Sequence, residues 1–174
     1  MAELKRVIEA LLFVHARPLG LKEMVELLPE WKRAEIEEAA EELIREYEER
    51  GSSFRVERVA EGYQFRTRVE YAPWIRRLKK VRPIRLSRAA LEALAIVAYR
   101  QPVSRAEIEE IRGVDSGWVI GSLMDKGLIR PVGRKSTPGR PLLYGTTKKF
   151  LEVFGLKDLK DLPTLKEVES LQEG

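Results

Sequence analysis

One ten-residue pattern occurs twice in this chain, and it restricts the possible folds more than any other feature. Pro18-Leu19-Gly20-Leu21-Lys22-Glu23-Met24-Val25-Glu26-Leu27 and Pro102-Val103-Ser104-Arg105-Ala106-Glu107-Ile108-Glu109-Glu110-Ile111 share one order: proline, aliphatic, three variable residues, glutamate, apolar, variable, glutamate, aliphatic. Each follows a long apolar segment that ends at or beside an arginine. Repetition of flanks as well as centre points to two copies of one structural unit.

In the first copy Leu4, Val7, Ile8, Leu11 and Leu12 recur at helical spacing and form one stripe. A short helix is expected at about 21–28. A third runs over about 32–50, with Ile36, Ala40, Leu43, Ile44 and Tyr47 on one face. Its remaining faces are charged, and Glu41–Arg45 and Glu46–Arg50 stand at i,i+4. Gly51 stops it. The period then becomes two: Phe54 and Val56 alternate with Arg55 and Glu57, Glu61-Gly62 turns the chain, and Tyr63 and Phe65 return.

The second copy repeats this order. Ser87 caps a helix whose inner stripe is expected to be Leu91, Leu94, Ala95 and Ala98. Ser104 and Glu107 form a capping box for the next helix, and Gly113 ends it. Asp115 caps a third, which runs to about Lys126 with Val119, Ile120, Leu123 and Met124 inward. Leu128, Ile129 and Val132 then form a strand, at a sheet edge because it contains Pro131. Pro138-Gly139 turns the chain into Leu142, Leu143 and Tyr144, and Thr147 caps a last helix with Phe150, Leu151 and Phe154. Three helices and a hairpin, twice over, are the winged variant of the helix-turn-helix. The expected fold is α+β, mainly helical, with two tandem winged-helix domains at 1–80 and 81–155 and a tail at 156–174.

Charge divides along the same lines. Residues 1–80 carry 16 basic and 16 acidic side chains, 81–149 carry 13 and 6, and 150–174 carry 3 and 6. The basic middle suits a polyanion, or is simply a solvated surface. Between the copies, Trp74, Leu78 and Val81 fit one face of a connecting helix that Pro83 ends. Arg76, Arg77, Lys79, Lys80, Arg82 and Arg85 make this linker the candidate for weak, sequence-blind DNA contact; a solvated helix face is the alternative.

Catalytic chemistry has little to stand on. The absence of cysteine excludes disulfides, thiolate zinc sites and cysteine nucleophiles, and suits a cytoplasmic protein. The one histidine, His15, falls on the stripe of the first helix and has no carboxylate cluster for a metal. Ser136-Thr137-Pro138-Gly139-Arg140 is a turn and lacks the strand–loop–helix setting of a phosphate cradle. No apolar run reaches the roughly 18 residues of a membrane span. No catalytic residue, metal ligand or cofactor site is assigned.

A winged helix reads DNA with its third helix, through Arg, Lys, Asn or Gln at base edges. The third helix of copy one is acidic. That of copy two offers Ser, Gly, Trp and Asp on its outer side, with one Lys. Trp118, with Gly117 and Gly121, therefore forms a candidate partner-binding surface; the alternative is that Trp118 packs on its own wing or tail. Phe13 lies about 180° from Leu4 on the first helix, beside Arg6 and Glu9, and these three are the candidate dimer interface.

Three stretches carry a family resemblance: Ala90-Leu91-Glu92-Ala93-Leu94-Ala95-Ile96-Val97-Ala98-Tyr99-Arg100-Gln101-Pro102-Val103-Ser104-Arg105-Ala106-Glu107-Ile108, then Ile111-Arg112-Gly113-Val114-Asp115-Ser116, then Gly133-Arg134 with Pro138-Gly139-Arg140-Pro141-Leu142-Leu143-Tyr144-Gly145-Thr146-Thr147. Together they resemble the segregation and condensation protein B (ScpB) family. Copy one is similar mainly through Glu9-Ala10-Leu11-Leu12-Phe13 and Pro18-Leu19. The resemblance implies a non-catalytic homodimer that supports chromosome condensation and segregation in the cytoplasm, at the nucleoid. It implies dimerisation through the first domain, binding of the kleisin ScpA largely through the second, and association with the Smc ATPase through ScpA. A winged-helix transcription regulator is the alternative that the fold and net charge allow.

Overall fold

The structure is a computed structural model, and it describes residues 2–79, 84–164 and 167. It divides into two compact units, Met1–Arg82 with Gly155–Gly174, and Pro83–Phe154. Each is a winged helix, so the mainly helical α+β fold with two tandem winged-helix domains is what the chain adopts.

The first unit runs α1 (Ala2–Val14), β1 (Leu19–Gly20), α2 (Leu21–Leu27), α3 (Arg33–Glu49), β2 (Phe54–Val59) and β3 (Gly62–Thr67), followed by a 3-10 turn at Val69–Tyr71 and α4 (Ala72–Lys79). Leu4, Ile8 and Leu12 of α1 pack with Ile36, Ala39, Ala40, Leu43 and Tyr47 of α3. Each of these leucines and isoleucines contributes about 1.5–3 kcal/mol on full burial. Lys5 joins the two helices through Glu42 and Glu46. The sheet has three strands in the order β1-β3-β2, where sequence periodicity predicts only a hairpin. β1 is two residues long, too short for any alternation to show.

The turn of this wing differs from expectation. Ala60 and Glu61, at φ 49° and 61°, form the loop, while Gly62 already pairs with Val59 and Gly20. Gly62 is needed for a different reason: a β-carbon there would stand 2.7 Å from the Leu19 carbonyl oxygen. The amides of Ala60 and Glu61 donate to the Leu156 and Lys157 carbonyls, each at 2.8 Å, which groups the start of the tail with this unit. Glu41 also departs from expectation. It accepts from the Tyr63 hydroxyl at 2.9 Å and pairs with Arg58 at 3.5 Å, tertiary partners in place of Arg45.

The second unit runs α5 (Arg88–Arg100), β4 (Val103–Ser104), α6 (Arg105–Arg112), α7 (Gly117–Asp125), β5 (Ile129–Arg134), β6 (Leu142–Thr146) and α8 (Lys148–Phe154). Its sheet order, β4-β6-β5, repeats that of the first unit. The caps stand where local chemistry places them. Ser87 accepts from the Ala90 amide, Ser104 and Glu107 form the capping box, Gly113 and Gly127 take positive φ, and Thr147 accepts from the Phe150 amide. The start of α7 is shared between two carboxylates: Asp115 accepts from the Gly117 amide at 3.1 Å and Glu109 from the Ser116 amide at 2.9 Å.

α5 is rotated from the expected stripe. Ala90, Ala93, Leu94, Val97 and Ala98 are buried, whereas Leu91 and Ala95 are exposed. Residues 93–98 are apolar around the whole helix, so periodicity cannot set its rotation. Met124 is likewise exposed at the end of α7, behind buried Val119, Ile120 and Leu123. β5 is an edge strand, as Pro131 requires, with a bulge between Pro131 and Gly133 that leaves Val132 exposed.

Candidate functional site

The outer side of α7 is set up by a knot of charges at its first turn. The Arg105 guanidinium donates to Glu109 at 2.6 Å and to Asp115. The Glu109 carboxylate lies below its ordinary range, first because the Ser116 amide donates to it and then because of Arg105. Arg105 is raised in turn, chiefly by its bond to Glu109. This guanidinium occupies the space beside Gly117, where a β-carbon would meet it at 2.7 Å. Gly117 thus borders Arg105 of its own domain. Gly121 has nothing within 4 Å of a β-carbon and stands open. Trp118 is 77% exposed.

Arg112 secures the same region from below. Its side chain is 7% exposed, donates to the Ser116 hydroxyl at 2.7 Å and pairs with Glu92 of α5 at 3.5 Å. Ile111 in the last turn of α6 and Val114 on the connection to α7 are more than half exposed, and Leu91 and Tyr99 of α5 are nearly so. Sequence reasoning misses these four as surface residues. The one available signal is that α5 is apolar on more faces than a single core requires.

On α1 the structure keeps Arg6 and Phe13 on the outer face and turns Glu9 inward. Phe13 is 78% exposed, Val14 is similar, and exposed Ala10 lies between Arg6 and Phe13 at helical spacing. Glu9 accepts from the Tyr47 hydroxyl, and that hydroxyl is pushed up to about 12 by burial and then by Glu9.

The basic linker is not one continuous helix among the described residues. Arg76 and Arg77 are exposed on α4 in the first unit, and Arg85 is exposed in the second. Lys79 ends α4; Lys80 and Arg82, with Val81 and Pro83, lie outside the described residues. Trp74 and Leu78 are 63% and 83% exposed, so the apolar face of α4 is not buried within its own unit.

His15 lies just past α1 with Nδ1 2.6 Å from the Arg17 carbonyl, a local contact at a helix end. Among the described residues no group of three His, Cys, Asp or Glu is placed to hold a metal ion. Among them, too, no helix is long and apolar enough to cross a membrane.

Two winged helices, with apolar side chains exposed on the second helix-turn-helix, define the class: a tandem winged-helix protein. Residues 6–165 match the family described as segregation and condensation complex subunit ScpB, and the chain belongs to that family. It is 56% identical to segregation and condensation protein B of Syntrophotalea carbinolica, over 97% of this chain and 85% of that one. It is 50% identical to the protein of the same name from Moorella thermoacetica, over 98% and 87%. The crystal structure of ScpB from Mycobacterium tuberculosis is 36% identical in sequence and covers 89% of this chain and 96% of that one, with a TM-score of 0.41. Membership places the chain among subunits of a segregation and condensation complex.

Proposed function

We propose that this chain is the kleisin-binding subunit of a condensin-like complex. As a homodimer paired through the first domain, it binds ScpA through the second. Through ScpA it joins Smc, which carries the ATP chemistry, and it acts at the nucleoid to support condensation and segregation. The observation that carries this reading is Trp118, 77% exposed on the helix that a DNA reader would place in the major groove. An exposed tryptophan beside an open glycine is an anchor for a protein partner. Family membership and the exposed Phe13 face support the assembly in the same direction.

A sequence-reading transcription regulator is disfavoured by the same helix. The exposed Trp118 and Asp125 and the half-exposed Gly121 and Ser122 include no arginine, asparagine or glutamine able to pair bidentately with a base. On α3 the corresponding surface is rich in glutamate and repels phosphate.

The deciding experiment mixes the full chain with ScpA on a size-exclusion column. Co-elution is expected. Separate elution, together with a preference of about 10³ for one genomic site over random DNA, would replace this reading with the regulator.

A further inference from the structure

The two wings have the same topology and opposite charge environments. In the first wing all four arginines are paired: Arg55 and Arg66 with Glu57, Arg58 with Glu37 and Glu41, and Arg68 with Glu48. In the second wing Arg130, Arg134 and Arg140 have no acidic partner among the described residues, and only Lys135 is neutralised, by Glu107. The sequence explains the contrast. From Lys126 to Leu151 there are seven lysines and arginines and no aspartate or glutamate. Every residue from Arg130 to Arg140 except Lys135 is exposed.

Geometry gives these cations a shape. Arg130 stands opposite Gly145 and Arg134 opposite Leu142, three residues apart on β6, because the bulge at Val132 adds a residue to β5. Paired residues share a face, and successive residues along a strand change face. Arg130 and Arg134 therefore project from opposite faces of the ribbon. At the tip, Arg134 donates to the Arg140 carbonyl at 3.0 Å, which bridges the two ends of the loop. A two-stranded ribbon with cations on both faces matches a groove walled on both sides by phosphates.

We infer that the second wing grips duplex DNA by its sugar–phosphate backbone, without reading sequence, through Arg130, Arg134 and Arg140. The ribbon carries little to specify a base beyond these arginines, and its exposed Pro131, Val132 and Gly133 offer none of the usual base-pairing side chains. This deepens the proposed function, since it adds a DNA contact to a subunit that holds ScpA. The contact lies apart in sequence from the α7 surface assigned to ScpA and from the basic linker.

The test titrates the full chain, without ScpA, on a short random-sequence duplex at several salt concentrations. The triple variant Arg130→Ala, Arg134→Ala, Arg140→Ala is compared with Arg76→Ala, Arg77→Ala. Loss of three phosphate contacts should flatten the slope of log affinity against log salt by about 2–3 and weaken low-salt binding by about tenfold or more. The melting temperature should fall little, because among the described residues these side chains make no ion pair and the variant loses one exposed hydrogen bond, from Arg134 to the Arg140 carbonyl. An unchanged slope in the triple variant, a slope that moves only with the linker variant, or no binding to the duplex at low salt would each overturn the inference. Co-elution with ScpA is measured separately. A chain that fails to co-elute but keeps a wing-dependent slope refutes the ScpA reading and supports the wing. A chain that co-elutes but whose DNA binding ignores the wing refutes the wing alone.

Discussion

Lys135, near the tip of the second wing, holds its ammonium 2.7 Å from the carboxylate of Glu107, the residue that closes the capping box of α6. Wing and helix are thus tied through one carboxylate, whose other oxygen takes the Ser104 amide at 2.8 Å and hydroxyl at 2.6 Å.

That arrangement predicts an acid response. Glu107 is held down to about 2, first by Lys135 and then by Ser104. An unfolded glutamate titrates near pH 4.3, so the folded value is the lower one. The stabilisation is complete above about pH 4.3 and is lost as pH falls toward about 2. The side chain is 39% exposed, so after solvent screening it contributes about 1 kcal/mol. Glu107→Gln should remove this much at neutral pH and flatten the acid-unfolding curve over that window, measured by circular dichroism. An unaltered curve would show that the tie adds nothing.

Trp118→Ala should weaken ScpA binding by about thirtyfold or more, since truncation of an aromatic anchor commonly costs about 2 kcal/mol. Stability should change by about 0.5 kcal/mol or less, as at other exposed positions. Calorimetry and an affinity measurement on one variant separate the readings. Lower stability with full affinity would assign Trp118 to the packing of its own domain.

Phe13→Glu should weaken the proposed homodimer, because burying this ring in a two-fold contact would contribute roughly 1.5–3 kcal/mol per subunit. Glu9→Ala should act differently. It removes the acceptor of the Tyr47 hydroxyl, so it should lower the melting temperature and leave the dimer constant nearly unchanged. Sedimentation equilibrium on both variants distinguishes an interface residue from one that supports the core.

Gly62→Ala should destabilise the first domain by about 1–3 kcal/mol, the range for forcing extra volume into a packed site. The obstacle is the Leu19 backbone, which cannot move aside without breaking the β1–β3 pairing. Gly121→Ala is the contrast. Its β-carbon meets nothing, and a helix-interior glycine changed to alanine gains up to about 1 kcal/mol. Thermal melts of the two variants should move in opposite directions.

Removal of residues 155–174 should destabilise the first wing. Ala60 is 5% exposed, and its amide and that of Glu61 would lose the Leu156 and Lys157 carbonyls. An unpaired buried amide costs about 1–3 kcal/mol. Faster hydrogen exchange at Ala60 and Glu61, with α5–α8 unaffected, is the expected result; unchanged protection there would contradict it.

Much of this protein was legible from local chemistry. Ser87, the Ser104–Glu107 box, Gly113, Gly127 and Thr147 mark helix ends through contacts within a few residues, which a sequence displays directly. The stripe of α3 was legible because its other faces are charged, and that of α1 because Leu4, Ile8 and Leu12 recur one turn apart. The rotation of α5 was not, since an all-apolar helix gives no phase. Nor were β1 and β4, whose two residues each become strands only because β3 and β6 lie beside them.

At the candidate surfaces the division is sharper. The sequence by itself determined that Trp118 and Phe13 stand off the main apolar stripes and that the second copy is basic. Only the tertiary structure decided that Arg105 fills the space at Gly117, that Glu9 serves Tyr47, and that one wing's arginines are neutralised while the other's are not. Helical phase and capping depend on neighbours three or four residues away. An ion pair such as Arg58–Glu41 or Lys135–Glu107 joins residues 17 or 28 positions apart, and only the folded chain brings them within reach.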